Sequence, residues 1–294
     1  MKRSLPLLVA FLVVVSLSQV SAYDWPSSDI KVRKNFAQRT GTNFEPGLEF
    51  ETSASNLNAP EKGQVIFAFS PDTGNPQNLP SSLGGFVVVA HSDQLRTLVS
   101  GVTPQPWLTS VHVSSGDPLG SIPNATSGTP TRHQLMVFDQ QLGELVNPLL
   151  VFPPIPDERS PVILDVKLVG SSPDSSASLF AHSHFSVGYW TLYVDAVDPG
   201  NSDSGSSQKG LYSVSAYLNG NEVFRTALTS LQDKNGQFAI KGTGKPLRDV
   251  IVGDHEWRLG KIFLNQGTNI LELVVKDFQG KESGKTFHIL GSSS

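Results

Sequence analysis

The chain has 294 residues and a formal net charge of −4, with 38% hydrophobic and 16% charged residues. This length and composition suit one or two packed domains and exclude wholesale disorder. The absence of cysteine excludes disulfide scaffolds, cysteine zinc sites and thiol catalysis, and the mild charge gives no basic surface of the kind that binds nucleic acid.

The first 22 residues have the pattern of a secretory signal peptide. Lys2 and Arg3 give a positive start, residues 5–17 are mostly apolar, and small residues lead up to Ala22. This pattern predicts cleavage after Ala22 and an exported protein, either periplasmic or extracellular. An uncleaved anchor is the alternative, but the apolar stretch is short for a membrane span. No later stretch is long and apolar enough to cross a bilayer.

Short apolar or alternating runs, separated by turn residues, predict strands in the first half of the chain. The clearest runs are residues 64–69, 86–90, 94–99 and 133–138. Three prolines between positions 153 and 156 then predict a stiff extended linker. We therefore expect one β-domain over residues 23–153 and a linker over residues 154–160.

The second half shows the same strand pattern and no convincing helix. Strands are predicted near residues 161–169, 189–194, 212–218, 222–225 and 270–275, with an Asn219-Gly220 turn between the third and the fourth. Strands at roughly ten-residue spacing are typical of antiparallel sandwiches. The prediction is an all-β fold, with an antiparallel, immunoglobulin-like β-sandwich over residues 161–291.

Six segments of the first half occur in an order known from one protein family. They read YDWP, FAQRTGTNFEPGLEFE, APEKGQVIFA, GGFVVVAHSDQLRTLVSG, VSSGDPLGSI and HQLMVFDQQLGELVNPLL. In this order they resemble the lysostaphin/LytM-type zinc metallopeptidases, which cut peptide cross-links in peptidoglycan. The resemblance covers about residues 23–153 and implies a lysostaphin-like antiparallel β-sheet core. The second half resembles the β-sandwich appended to some longer, exported members.

The resemblance also shows where this chain departs from the family. Members hold one zinc ion with a His, an Asp four residues later, and the second His of an HxH strand. Here Glu45 and Glu49 lie at the first two ligand positions. In an ungapped register, Gln134 takes the third position, and Arg132 replaces the first His of HxH. A register slipped by one residue would instead keep His133 and place Leu135 at the ligand position.

The ungapped register is preferred because strand residues alternate between faces. It sends Leu135 and Val137 into the core, whereas a one-residue slip would reverse the two faces. We hypothesise that, in this register, Arg132 takes the place of the zinc ion as the positive charge beside Glu45 or Glu49.

Three positions are then remnants of catalytic residues, and three are former metal-ligand positions. The remnants are His91, Arg132 and His133, and the former ligand positions are Glu45, Glu49 and Gln134. We expect no intact catalytic residue, no bound zinc and no cofactor, because zinc sites need imidazole nitrogen or thiolate sulfur. The simpler alternatives are a backbone-bonded histidine at position 91 and two solvated loop carboxylates at positions 45 and 49.

Three functions remain open at this point. The first is a non-catalytic envelope protein that binds peptidoglycan or regulates a cell-wall hydrolase. The second is an active metalloendopeptidase with atypical zinc ligands, assisted by His91. The third is a binding or adhesion module that acts through the C-terminal sandwich.

Other residue groups suggest further sites in the second half. His182 and His184 form an HxH pattern, for which His255 and Glu256 are the visible further ligands. The oxygen-rich loop that contains Asp195, Asp198 and Asp203 is compatible with calcium but lacks an EF-hand pattern. The alternatives are surface histidines and a solvated loop.

Four aromatic residues could form a platform that stacks on sugar rings. They are Trp107, Tyr189, Trp190 and Trp257. Aromatic side chains on strands more often belong to the core.

Overall fold

A computed structural model describes residues 23–71, 81–108, 111–123, 131–171, 175–200 and 208–293. The predicted signal peptide and Asp203 lie outside these residues.

In its described residues, the first half consists of strands and one 3-10 turn, Pro148–Leu150. The strands are β1 (Lys31–Lys34), β2 (Arg39–Thr40), β3 (Asn43–Phe44), β4 (Leu48–Thr52), β5 (Asn56–Asn58), β6 (Gly63–Phe69), β7 (Phe86–Ala90), β8 (Leu95–Ser100), β9 (Thr103–Pro104), β10 (His112–Val113), β11 (Pro118–Ser121), β12 (Thr131–Asp139) and β13 (Glu144–Val146).

The described part of the second half adds eleven strands and one short helix, α1 (Leu247–Val250). The strands are β14 (Val162–Val169), β15 (Ser176–Ser178), β16 (His184–Ser186), β17 (Gly188–Val197), β18 (Ser213–Leu218), β19 (Asn221–Ala227), β20 (Ser230–Asp233), β21 (Phe238–Ile240), β22 (Glu256–Leu264), β23 (Gly267–Lys276) and β24 (Glu282–Ser292). The predicted all-β fold is confirmed.

A ten-stranded antiparallel sheet forms the centre of the first half. Its main path runs β10-β6-β7-β8-β12-β13-β20-β21, and β4 pairs with both β12 and β1. One face buries valine and leucine side chains, because strand side chains alternate between faces. The core on this face includes Val65, Val87, Val99, Leu135 and Val137, all 0% exposed.

Two further sheets form the sandwich in the second half. The four-stranded sheet has the order β15-β14-β17-β22, and the five-stranded sheet has the order β16-β24-β23-β18-β19. All pairs are antiparallel except β16 with β24. Leu192 and Val194 of one sheet belong to the same buried cluster as Leu273 and Val275 of the other.

The hairpin of β20 and β21 belongs to the first sheet, although its sequence lies in the predicted second domain. Leu231 of β20 pairs with Leu145 of β13 and is buried in the cluster of the second half. An unpaired edge of β13 would expose backbone donors and acceptors, and the hairpin covers that edge. The two halves therefore share one continuous sheet.

Within the described part of the chain, no helix is long and apolar enough to cross a bilayer.

Candidate functional site

The structure brings together the three residues at the former ligand positions. Glu49 on β4 pairs with Gln134 on the neighbouring strand β12, so both side chains point to the same face of the sheet. Glu45 lies just before β4, and its Oε2 accepts a hydrogen bond from Gln134 Nε2 at 3.4 Å. Glu45 and Glu49 are both buried, 6% and 8% exposed.

Two cations contact Glu49 from the flanking strands. Lys34 pairs with Glu49 across β1 and β4, and its Nζ lies 2.8 Å from Glu49 Oε2. The guanidinium of Arg132 lies 3.5 Å from Glu49 Oε1, but its side chain is 69% exposed. Lys34 is therefore the main counter-charge, and the sequence analysis missed it.

The next pair along β4 repeats this arrangement. Glu51 is buried, forms an ion pair with Arg33 and pairs with Arg132 across β12. Three acidic residues (Glu45, Glu49, Glu51) and three basic residues (Arg33, Lys34, Arg132) thus form a charge network that we call the β4 ladder. With all six groups ionised, the β4 ladder is neutral.

Glu45 is the least compensated acid of the β4 ladder. Burial raises the pKa of the Glu45 carboxyl, and the charge of Glu49 raises it further, against weaker opposing effects of Lys34, the Gly47 amide and Gln134. The buried oxygens Glu45 Oε1 and Gln134 Oε1 have no hydrogen-bond partner. Glu45 Oε1 and Gln134 Oε1 are both acceptors while the carboxyl is ionised. Protonation of Glu45 would turn one of its carboxyl oxygens into a hydrogen-bond donor.

The β4 ladder does not fit a zinc ion. Glu45, Glu49 and Gln134 offer only oxygen from carboxylates and an amide, whereas protein zinc sites use imidazole or thiolate ligands. The Lys34 ammonium and the Arg132 guanidinium lie against Glu49, where they would repel a divalent ion. The alternative of two solvated loop carboxylates is also wrong, because both glutamates are buried and Glu49 lies within a strand.

His91 is remote from these residues. His91 follows β7, and the other end of this strand is the one near Gln134. There, Phe86 pairs with Ser100, whose hydroxyl accepts a hydrogen bond from the backbone amide of Gln134. Phe86 and His91 are five steps apart along the strand, a distance of about 16 Å. The ring Nδ1 donates to the Lys62 carbonyl at 2.9 Å, and Nε2 lies 2.9 Å from the Thr97 hydroxyl.

His133 lies on the core face of β12, opposite Arg132 and Gln134. Its Nδ1 donates to the Ser100 carbonyl at 3.1 Å, and its Nε2 lies 2.7 Å from the Thr131 hydroxyl. Burial lowers the pKa of the His133 imidazole and favours the neutral ring. Its position suits core packing beside Phe50, whose ring centroid is 5.4 Å away.

The described residues contain one group of three or more acidic or histidine side chains with ligand atoms within 4.8 Å of one another. It consists of Asp157, Asp198 and Asp277. Asp203 lies outside the described residues; of the other two residues considered for calcium, Asp198 belongs to this group and Asp195 does not. His182 and His184 are exposed and do not form such a group with His255 and Glu256.

The aromatic residues considered as a sugar platform occupy different environments. Trp257 is 2% exposed and belongs to the core, while Trp107 and Tyr189 are exposed. Tyr189 packs edge-on against Phe263, with ring centroids 5.0 Å apart. The sequence did not point to Phe263 as part of such a platform. It lies 74 residues from Tyr189, and only the pairing of β17 with β22 brings the two opposite each other.

The geometry defines a two-part all-β protein with a charge-balanced acidic group on the central strands of its first sheet. A protein-family model matches residues 160–290 of the chain. No curated protein matches the sequence.

The structural neighbours include lysostaphin and M23 proteins. A chain of the SpoIIQ–SpoIIIAH pore-forming complex is 18% identical, with coverage of 45% of this chain and 92% of that chain and a TM-score of 0.33. A catalytic domain of the prophage-encoded M23 protein EnpA from Enterococcus faecalis is 19% identical, with coverage of 42% and 91% and a TM-score of 0.32. Lysostaphin is 10% identical, with coverage of 78% and 87% and a TM-score of 0.33. Similarities at this level do not establish a shared function.

Proposed function

We propose that this protein is a non-catalytic relative of the lysostaphin/LytM-type peptidases that is exported and binds the cell wall. The observation that carries the proposal is the β4 ladder. Glu45, Glu49 and Gln134 converge as the ligand positions of the resemblance require, yet no imidazole is among them. Lys34 and Arg132 supply the positive charge beside Glu49.

A relative of such enzymes that lacks zinc lacks their metal chemistry, and binding is the role that remains for it. A zinc ion lowers the pKa of its bound water and polarises the scissile carbonyl. The three glutamates of the β4 ladder are buried, whereas Arg33 and Lys34 are partly exposed and Arg132 is exposed. These basic side chains present charges and hydrogen-bond donors to a peptide. We therefore assign the first domain a binding role, either on peptidoglycan itself or on a hydrolase bound to it.

The metal part of the proposal is tested by elemental analysis. The chain from Tyr23 onward, dialysed against trace zinc, should hold close to no zinc. The triple variant Glu45→His, Glu49→Asp, Gln134→His restores the ligand set of the family and should bind about one zinc per chain. One zinc in the unsubstituted protein, lost in Glu49→Ala, would contradict the proposal and favour an active metallopeptidase.

The binding part is tested with purified cell-wall sacculi in a sedimentation assay. The unsubstituted protein should co-sediment, and the double variant Lys34→Ala, Arg132→Ala should bind at least about fivefold more weakly. Absence of any sedimentation, with the protein folded, would rule out direct binding to peptidoglycan and leave a hydrolase as the partner.

A second candidate is binding through the sandwich, which the exposed Tyr189 and Phe263 pair favours. Tyr189 is 68% exposed and Phe263 is 41% exposed. Neighbouring exposed apolar side chains that form a contiguous patch often mark recognition surfaces. If Tyr189→Ala abolishes sedimentation with sacculi and the double variant of the β4 ladder does not, the sandwich carries the binding.

A further inference from the structure

Three aspartates from separate segments meet at one end of the sandwich. Asp157 lies in the connection between the two halves, Asp198 directly follows β17, and Asp277 directly follows β23. One carboxylate oxygen of each lies within 4.8 Å of the others. Asp198 and Asp277 are almost completely buried, 1% and 0% exposed. We call this group the aspartate triad.

Part of each carboxylate is held by backbone amides. Asp277 Oδ1 accepts from the amides of Gln279 and Lys281, both at 2.8 Å. Asp157 Oδ1 accepts from the Arg159 amide, and Asp198 Oδ1 accepts from the Gly200 amide. These bonds orient the carboxylates in fixed directions, as in a preformed site.

The remaining oxygens of two triad residues have no protein partner. Asp277 Oδ2 and Asp157 Oδ2 are both buried and accept no hydrogen bond. Buried carboxylate oxygens without a donor are rare in folded proteins, because each loses its hydration without compensation. The unpartnered oxygen of the fully buried Asp277 is the observation that points to a cation as the ligand of the triad.

The triad also concentrates negative charge. Lys209 lies beside it, since its backbone pairs with that of Asp198 and its charge acts on the Asp198 carboxyl. Burial and, less strongly, the charges of Asp157 and Asp277 raise the pKa of that carboxyl to about 6. A divalent cation would neutralise this charge and satisfy the free oxygens together.

We propose that the aspartate triad binds one calcium ion that ties the connecting segment to the sandwich. Calcium is favoured because the donor set is entirely oxygen and anionic. Calcium–oxygen distances of about 2.3–2.6 Å place ligands on opposite sides of the ion up to about 5 Å apart, which accommodates the spacing of the triad. The site lies apart from the β4 ladder and does not depend on the proposed function.

Thermal unfolding of the metal-free chain from Tyr23 onward tests the proposal. Addition of 5 mM calcium chloride should raise the Tm by about 5 °C, and equilibrium dialysis should show about one calcium per chain. Magnesium at the same concentration should have a much smaller effect, because it demands a tighter octahedral site.

Substitution of the triad residues separates this site from non-specific ion binding. Asp198→Asn and Asp277→Asn should lose the calcium response, while Asp249→Asn, which changes an exposed carboxylate on α1, should keep it. If Asp277→Asn does not fold, Asp157→Asn in the connecting segment takes its place. The proposal is overturned if calcium leaves the Tm unchanged, if the triad variants retain the full shift, or if magnesium acts equally well.

Discussion

Glu144 shows how a single buried carboxylate links the two halves. It is 3% exposed and receives hydrogen bonds from Ser230 and Gln232, each at 2.7 Å. The Lys241 ammonium lies 2.7 Å from the same carboxylate. Burial opposes ionisation, but the bonds from Lys241, Ser230 and Gln232 prevail and lower the pKa of the Glu144 carboxyl.

The first prediction concerns Glu144→Gln, which removes the charge but keeps the shape. We expect a loss of about 2 kcal/mol in the free energy of unfolding at pH 7, because hydrogen bonds to a charged group are lost. An acid with a lowered pKa stabilises the fold above its ordinary pKa of about 4.3, and this stabilisation is lost as the pH falls below it. The difference between the variant and the unsubstituted protein should therefore shrink below about pH 4.

Urea unfolding at several pH values measures this difference. Glu222→Gln is the control, because Glu222 pairs with Arg225 on an exposed surface and should change stability by less than about 0.5 kcal/mol. A pH-independent difference for Glu144→Gln would show that its charge is not what stabilises the fold.

The second prediction compares the two cations that contact Glu49. Lys34→Met should lower the free energy of unfolding by about 2 kcal/mol, because the buried Glu49 loses its closest charge partner. Arg132→Met should cost only about 0.5 kcal/mol, because the exposed guanidinium is screened by water. Chemical denaturation of both variants at pH 7 decides the order, and an equal or larger effect at Arg132 would make that residue the principal replacement for the metal charge.

At the scale of the elements, β12 organises the first sheet. Its first half pairs with β4 and its second half with β13, while β8 runs along its other edge. This strand places Gln134 in the β4 ladder and His133 in the core. A close approach at the end of β8 is needed to seat the His133 ring.

The third prediction tests this approach through Gly101, which directly follows β8. Gly101 has a φ of +76°, and an added Cβ would lie 2.6 Å from His133 Nδ1. We expect Gly101→Ala to lower the free energy of unfolding by about 3 kcal/mol or more, because the strain of positive φ adds to the steric clash.

Gly84→Ala is the matched control for this change. Gly84 also has a positive φ, +65°, but an added Cβ would meet no atom within 4 Å. It should lose only the conformational part, about 1–2 kcal/mol. If urea denaturation shows equal losses in the free energy of unfolding for both substitutions, the clash with His133 does not contribute to the effect of Gly101→Ala.

At the scale of the whole molecule, the two halves are joined by more than a linker. The pairing of β13 with β20 continues the first sheet into the second half. Phe36 and Leu48 of the first half are 0% exposed and belong to the buried cluster of the sandwich. Phe36 and Leu48 would therefore lose part of their packing if the second half unfolded.

The fourth prediction is that the chain from Tyr23 onward unfolds in one cooperative thermal transition. The shared sheet and the mixed core couple the two halves, so neither can melt without exposing apolar surface of the other. Differential scanning calorimetry should show one peak whose calorimetric and van't Hoff enthalpies agree. Two resolved peaks would mean that the contacts between the halves are too weak to couple them.

The sequence by itself determined the all-β fold, since short alternating runs and turn residues are local features that reflect which side chains face a core. It also determined the spacing of Glu45 and Glu49, which lie four residues apart on one short segment. Only the tertiary structure decided which charged groups meet. Lys34 forms an ion pair with Glu49, Lys241 forms one with Glu144, and Asp157 and Asp277 lie beside Asp198. These residues are far apart in the chain, and sheet pairing and loop closure bring them together. Burial then sets their charge states, which no local sequence pattern specifies.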